Sequence, residues 1–158
     1  MAFGTGTHET TKLCLKSIDE HFTAGMSFLD VGTGTGILAI AAAKLGASAI
    51  AAYDVDADSI KIARDNAAQN GVADKISFVD GGIEQSTDTR DFVCANVTLD
   101  VISPMLGLLL KKSRKKLVLS GILVEQETQI MTQLEHLGFN SPHIEHDGEW
   151  ISVLIELT

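Results

Sequence analysis

Phe28-Leu29-Asp30-Val31-Gly32-Thr33-Gly34-Thr35-Gly36-Ile37-Leu38-Ala39-Ile40-Ala41-Ala42 is the stretch that decides how the chain folds. A short apolar run, glycines at alternate positions and an alanine-rich run read as strand, tight turn and helix. Glycine reaches backbone conformations that a side chain forbids, and a helix starting at the turn offers unpaired N–H donors. The ligand class implied is a nucleotide. Its type follows from spacing: the dinucleotide fingerprint G-x-G-x-x-G needs glycine at position 37, where this chain has Ile37, so the pattern is G-x-G-x-G. A nicotinamide-dependent oxidoreductase would share the strand-turn-helix, but the spacing counts against it.

The next signal downstream is Asp54, at the end of a small apolar run over 47–53 with β character. An acid at the carboxyl end of a second strand faces the crevice where a ribose lies, and its oxygens accept from both ribose hydroxyls. The competing role for Asp54 is to open a polar turn, with Asp56 and Asp58 as helix caps. Elements alternate along the rest of the chain. Helices are expected over 8–21, 36–45, 57–70, 99–111 and 125–137, with Leu13, Ile18 and Phe22 facing the core and Pro104 marking a break or late start in the fourth. Strands are expected over 27–31, 76–79, 91–95 and 117–123, besides the one ending at Asp54. Strands over 143–146 and 150–157 are joined by the hairpin signal Asp147-Gly148. This pattern gives an α/β fold: a doubly wound, mostly parallel, seven-stranded sheet with a C-terminal antiparallel hairpin strand. The end of the fourth strand delivers Asn96 to the same rim as the glycine turn and Asp54.

Composition agrees with one domain. The chain has 158 residues, 45% of them apolar and 21% charged, enough for a core without disulfide or metal. No run approaches the length of a membrane span, and the opening residues carry no signal-peptide pattern, so a cytoplasmic protein is expected. A formal net charge of −9 argues against direct binding of nucleic acid and favours a basic partner. The basic run Lys111-Lys112-Ser113-Arg114-Lys115-Lys116 falls where a helix C-terminus welcomes positive charge. Cys14 and Cys94 form no ligand motif and are expected in the core. The five histidines are scattered, and His143 and His146 would point to opposite faces of a strand, so no metal site is expected.

With Asp30 two residues ahead of Gly32, the turn resembles motif I of the class I S-adenosylmethionine-dependent methyltransferases. The likeness narrows with Ala2-Phe3-Gly4-Thr5-Gly6-Thr7-His8-Glu9-Thr10-Thr11, which is similar to the motif that opens the catalytic domain of the PrmA family of ribosomal protein methyltransferases. Gly36-Ile37-Leu38-Ala39-Ile40-Ala41-Ala42, Ala95-Asn96-Val97, Leu119-Ser120-Gly121-Ile122-Leu123 and Gly148-Glu149-Trp150 agree with the same family. The resemblance covers nearly the whole chain.

It implies methyl transfer from S-adenosylmethionine to protein amino groups, chiefly lysine side chains, on a protein of the large ribosomal subunit. Carried over by position, the cofactor contacts fall on Thr11, Gly32, Asp54 and Asn96. Gly34 belongs to the same turn, Asp30 to its approach, and Asp80, at the end of the third strand, can accept from an adenine amine, although turn chemistry alone also explains Asp80-Gly81-Gly82. Asn96 suits a site holding cofactor and amine, since its amide both donates and accepts; its ordinary alternative is to cap a helix. Phe3 and Thr7 join Asn96 as acceptor-side residues, in a glycine-rich lid over 3–8 whose closure expels water. That segment, being terminal, reads equally as frayed. The chain departs from the family after Asn96, where Val97-Thr98-Leu99-Asp100 replaces the common Ile-Leu-Ala and Pro. It also starts almost on the first motif, so the whole 1–158 is one methyltransferase domain and the family's amino-terminal recruiting domain is expected to be absent. A module that holds S-adenosylmethionine without catalysis is the alternative from another class.

Overall fold

A computed structural model describes residues 7–157. Five helices, α1 (Thr7–His21), α2 (Ile37–Lys44), α3 (Ala57–Gln69), α4 (Leu99–Lys112) and α5 (Glu127–His136), alternate with seven strands. The strands are β1 (Phe28–Val31), β2 (Ile50–Asp54), β3 (Ile76–Asp80), β4 (Arg90–Asn96), β5 (Ser113–Leu123), β6 (His143–Asp147) and β7 (Trp150–Glu156). They form one sheet in the order β3-β2-β1-β4-β5-β7-β6. β7 runs antiparallel to both of its neighbours, and the pairs from β3 through β5 are parallel. The chain reverses its direction of winding between β1 and β4. That is where strand ends diverge and a crevice opens.

Alternation along each strand divides the core in two. Phe28, Ala52, Phe92, Cys94 and Val118 pack under α1, α2 and α3. Leu29, Val93, Ala95, Leu117 and Leu119 pack under α4 and α5. Fully burying each of the Val, Leu and Phe side chains among them contributes about 2 kcal/mol. Because Phe28 and Asp30 share a parity, Asp30 faces the α1 side, and so does Asn96, which shares a parity with Cys94. Cys14 of α1 and Cys94 of β4 are both fully buried free thiols with sulfurs 3.6 Å apart. The adjoining Cys14 thiol, aided by burial, holds Cys94 well above the usual thiol range, so the pair serves as packing between α1 and β4.

Most elements lie where the sequence puts them; the break or late start expected at Pro104 and the start of the fifth strand do not. Pro104 stops nothing: α4 starts at Leu99 and runs through it to Lys112. Pro104 and Asp100 both lie on the exposed face, so the carbonyl left without its helical partner is open to water. β5 starts at Ser113, four residues before the expected strand. Its basic side chains find local partners: Arg114 Nε meets Asp91 Oδ1 at 3.1 Å and Lys116 Nζ meets Glu156 Oε1 at 2.9 Å. Lys112 Nζ, at the end of α4, donates to the Gln85 carbonyl at 2.6 Å. Charge at these positions hides the strand from a hydropathy pattern.

The glycine turn also sets how closely α2 and α3 pack. A Cβ at Gly36 would lie 3.0 Å from Ala63 Cβ and 3.2 Å from Ala63 Cα, on a backbone at φ 85°. Gly36→Ala is expected to lower unfolding stability by at least about 2 kcal/mol in urea titration. A loss below about 0.5 kcal/mol would show that the two helices do not depend on this approach.

Candidate active site

The crevice lies at the carboxyl ends of β1, β2 and β4. Gly32, Gly34 and Gly36 stand at φ 77°, 56° and 85°, all in the left-handed region that glycine alone adopts without strain. The amides of Gly32 and Thr33 donate to the Tyr53 carbonyl at 2.8 and 2.9 Å, which lashes the turn to the end of β2. Gly32 has no room for a side chain, since a Cβ there would lie 2.4 Å from Val97 Cγ1. A Cβ on Gly34 would meet none of the described residues within 4 Å, so among them that part of the turn is open.

Asp54 joins turn and strand. Its Oδ2 accepts from the Gly34 amide at 2.9 Å and its Oδ1 from the Asp56 amide at 3.0 Å. Helix capping falls to Asp56, whose side chain accepts from the Asp58 amide. The turn-forming and ligand-facing roles weighed for Asp54 are therefore compatible, because a carboxylate has about four acceptor positions and two are used here. Asp54 pairs in register with Asp80 of β3, and its carbonyl accepts from the Gly81 amide at 2.9 Å. Beside them lies a cavity of about 350 Å³ lined by Tyr53, Val79, Asp80, Gly81, Gly82 and Thr87 among others. A larger cavity, about 550 Å³, lies at the other end of the sheet between His21 and residues 138–143, away from every residue of this crevice.

Asp30 sits beneath the turn, fully buried. Thr33 Oγ1 donates to its Oδ2 at 2.8 Å, while Oδ1 has no hydrogen-bond partner among the described residues. Burial pushes the carboxyl up to about 7; Thr33 and the Ala39 amide oppose this, and the Asp54 charge adds to it. The Ala39 amide acts on the carboxyl as a nearby dipole, since it completes no hydrogen bond to Oδ1. Across the crevice, the buried Asn96 Oδ1 likewise lacks a partner among the described residues. Two unpaired acceptors within one rim are unusual in a folded interior and point to a donor that arrives with a ligand.

The structure thus gathers Gly32, Gly34, Asp54 and Asp80 by direct bonds or register, sets Asp30 below them, and holds Asn96 opposite through Val97. Thr11 arrives half-buried on α1. Phe3 lies outside the described residues, as do the rest of the proposed lid before Thr7 and the side chain of Thr7. Val55 was not foreseen: it is 80% exposed, next to Asp54, with Cγ1 4.0 Å from where a Cβ of Gly82 would stand. Its signal in the sequence is an apolar residue where a polar turn begins.

A raised Asp30 pKa makes the folded protein hold a proton that the unfolded chain has lost between pH about 4 and about 7. Stability from this group therefore falls as pH rises through that window and is level above it, by about 1.4 kcal/mol per unit. Asp91, Glu145 and Glu156 are held low, chiefly by Ser27, Lys16 and Lys116 respectively, so their contributions have the opposite sign and are lost as pH falls; they are common to parent and variant and cancel in the comparison. Asp30→Asn is expected to match the parent at pH 5 and exceed it at pH 8 by roughly 1–4 kcal/mol in urea titrations. Parallel pH profiles for the two proteins would contradict the buried protonated carboxyl.

Comparison with known proteins agrees with this geometry. The family model described as ribosomal protein L11 methyltransferase (PrmA) matches residues 1–158. Ribosomal protein L11 methyltransferases from Macrococcus caseolyticus and Desulforapulum autotrophicum are 38% and 41% identical, over 97% and 99% of this chain and 50% and 53% of their own length. The chain spans about half the length of the curated relatives it matches. The crystal structure of ribosomal protein L11 methylase from Lactobacillus delbrueckii subsp. bulgaricus superimposes with a TM-score of 0.87 at 30% identity, covering 93% of this chain and 77% of that one. Magnesium protoporphyrin IX methyltransferase from Synechocystis PCC 6803, solved with bound SAM, shares the fold with a TM-score of 0.72 at 18% identity, over 95% of this chain and 77% of its own. With a family model spanning the whole sequence and a crevice built on the family's motifs, the chain belongs to the ribosomal protein L11 methyltransferase (PrmA) family.

Proposed function

We propose that residues 1–158 form the methyl-transferring domain of a cytoplasmic S-adenosylmethionine-dependent protein methyltransferase, acting on lysine amino groups of a basic protein of the large ribosomal subunit. The observation that carries this reading is the Asp54 carboxylate, tied to the Gly34 amide at the mouth of a left-handed glycine turn with acceptor positions to spare. Net charge of −9 favours a basic acceptor over nucleic acid.

The residues present fit this donor. Asp54 accepts from the ribose hydroxyls, Asp80 from the adenine amine, and the exposed Val55 covers the base. The open backbone at Gly34 leaves room for the methionine end, and Thr11 adds a hydroxyl from α1. Asp30 places a carboxyl, one oxygen of which has no partner among the described residues, under a ligand that carries positive charge. Bound there, S-adenosylmethionine supplies a methyl group on a sulfonium, open to in-line displacement by a neutral amine.

The chain's own work is to present that amine. A free lysine, with pKa about 10.4, is neutral in roughly one molecule in 2,500 at pH 7, an expense of about 5 kcal/mol. Alignment of nucleophile and electrophile supplies on the order of 7 kcal/mol or more, which outweighs it. Desolvation near a fixed positive charge also favours the neutral amine. No dedicated general base is needed. Asn96 Oδ1, buried and without a partner among the described residues, accepts one amine hydrogen and so aims the lone pair. Phe3 and Thr7 complete the acceptor channel in this reading.

Two variants separate holding from transfer. Asp54→Ala is expected to weaken donor binding at least about 100-fold in calorimetric titration, since two charge-assisted hydrogen bonds and the anchor of Gly34 go together. Asn96→Ala is expected to reduce transfer of labelled methyl to large-subunit ribosomal proteins at least about tenfold more than it reduces donor affinity. Unchanged donor affinity in the first, or unchanged transfer in the second, would remove the role assigned to that residue.

A further inference from the structure

Leu119-Ser120-Gly121-Ile122-Leu123 contributes no group to the crevice as described, yet it interrupts the apolar half of β5 with a hydroxyl and a glycine. Ser120 is fully buried. Gly121 stands at φ 86°, and the pairing of β5 with β7 slips there, from Ser120 opposite Ser152 to Ile122 opposite Ile151. This bulge changes the parity of the strand. Leu117, Leu119 and Ile122 therefore all reach the core under α4 and α5, while Ser120 faces α1.

On that face Ser120 meets two other segments of the site. It pairs in register with Asn96, and its carbonyl accepts from the Val97 amide at 3.2 Å. Val97 is the side chain that closes over Gly32. The Ser120 hydroxyl donates to the Thr10 carbonyl of α1 at 3.3 Å, one residue before Thr11. Thr10 is itself fully buried, one turn ahead of Cys14 on the face that packs against β4. A single residue behind the crevice thus touches the segment carrying Asn96 and the segment carrying Thr11.

We propose that Ser120 is a positioning residue, which holds Thr11 and Asn96 in fixed relation across the donor crevice by gripping Thr10 with its hydroxyl and Val97 with its carbonyl. The inference rests on reading the crevice as the donor site. It makes the hydroxyl matter to binding through α1, whereas a hydroxyl that merely satisfied itself within the core would matter to stability alone.

The test is a double-variant cycle on the 158-residue chain, read by calorimetric titration with S-adenosylmethionine and by thermal melting. Ser120→Ala is expected to weaken donor binding about five- to tenfold, the scale of one buried hydrogen bond. Ser120→Thr keeps the hydroxyl and is expected to bind within about twofold of the parent, and in a Thr11→Ala background Ser120→Ala is expected to add less than about twofold. Should the alanine variant not fold, Ser120→Cys, close in size and a poor donor, replaces it with the same expectation. Unchanged affinity, equal loss in the threonine variant, or penalties that multiply in the double variant would overturn the assignment even if the melting point drops. A parent chain that binds no S-adenosylmethionine would overturn the crevice reading instead, and this inference with it.

Discussion

Asp54 accepts a hydrogen bond from the Gly34 amide, and most of the crevice follows from that contact. β1 and β2 are parallel neighbours whose ends would otherwise diverge into separate loops. The carboxylate, with two amides donating to the Tyr53 carbonyl, folds the glycine turn back onto β2. Only residues that tolerate positive φ can follow this path, and at Gly32 the nearness of Val97 excludes a side chain as well. The backbone at Gly34 and one anionic side chain, Asp54, then border the same opening. A nucleoside with vicinal hydroxyls and a charged tail is complementary to that arrangement.

The rim holds two buried acceptors that depart from the usual pairing of buried polar groups. Among the described residues Asp30 and Asn96 each leave a buried oxygen unpaired, and Asp30 carries the desolvation of a carboxyl. Such groups lower stability, and the two apolar clusters on either side of the sheet offset them. Asp30 and Asn96 both face the α1 side, at the divergence of β1 and β4, where a cationic ligand would supply what they lack. The same side of the sheet carries Ser120, joined there to Thr10 of α1.

Much of this was legible before any coordinates. Glycines at 32, 34 and 36 announced the turn, Asp54 announced the end of β2, and Asp147-Gly148 announced the hairpin, because local backbone chemistry decides each of them. The resemblance carried by the first motif named the family that the comparisons show. What escaped was decided by tertiary surroundings. Pro104 continues a helix because its freed carbonyl is exposed, and residues 113–116 join β5 because Asp91 and Glu156 receive their charges. Cys14 and Cys94 meet across eighty positions of sequence, which no local pattern records. Val55 and Ser120 are ordinary residues by type, and only position makes one an exposed apolar wall and the other a tie between three segments.

The central claim is that a sulfonium nucleoside lies across the ends of β1, β2 and β4. A crystal structure of the chain grown with S-adenosylmethionine tests it most directly. The account predicts that molecule over the glycine turn, with both ribose hydroxyls within about 3 Å of the Asp54 oxygens. A crevice that stays empty at saturating ligand, or a ribose placed away from Asp54, would contradict it.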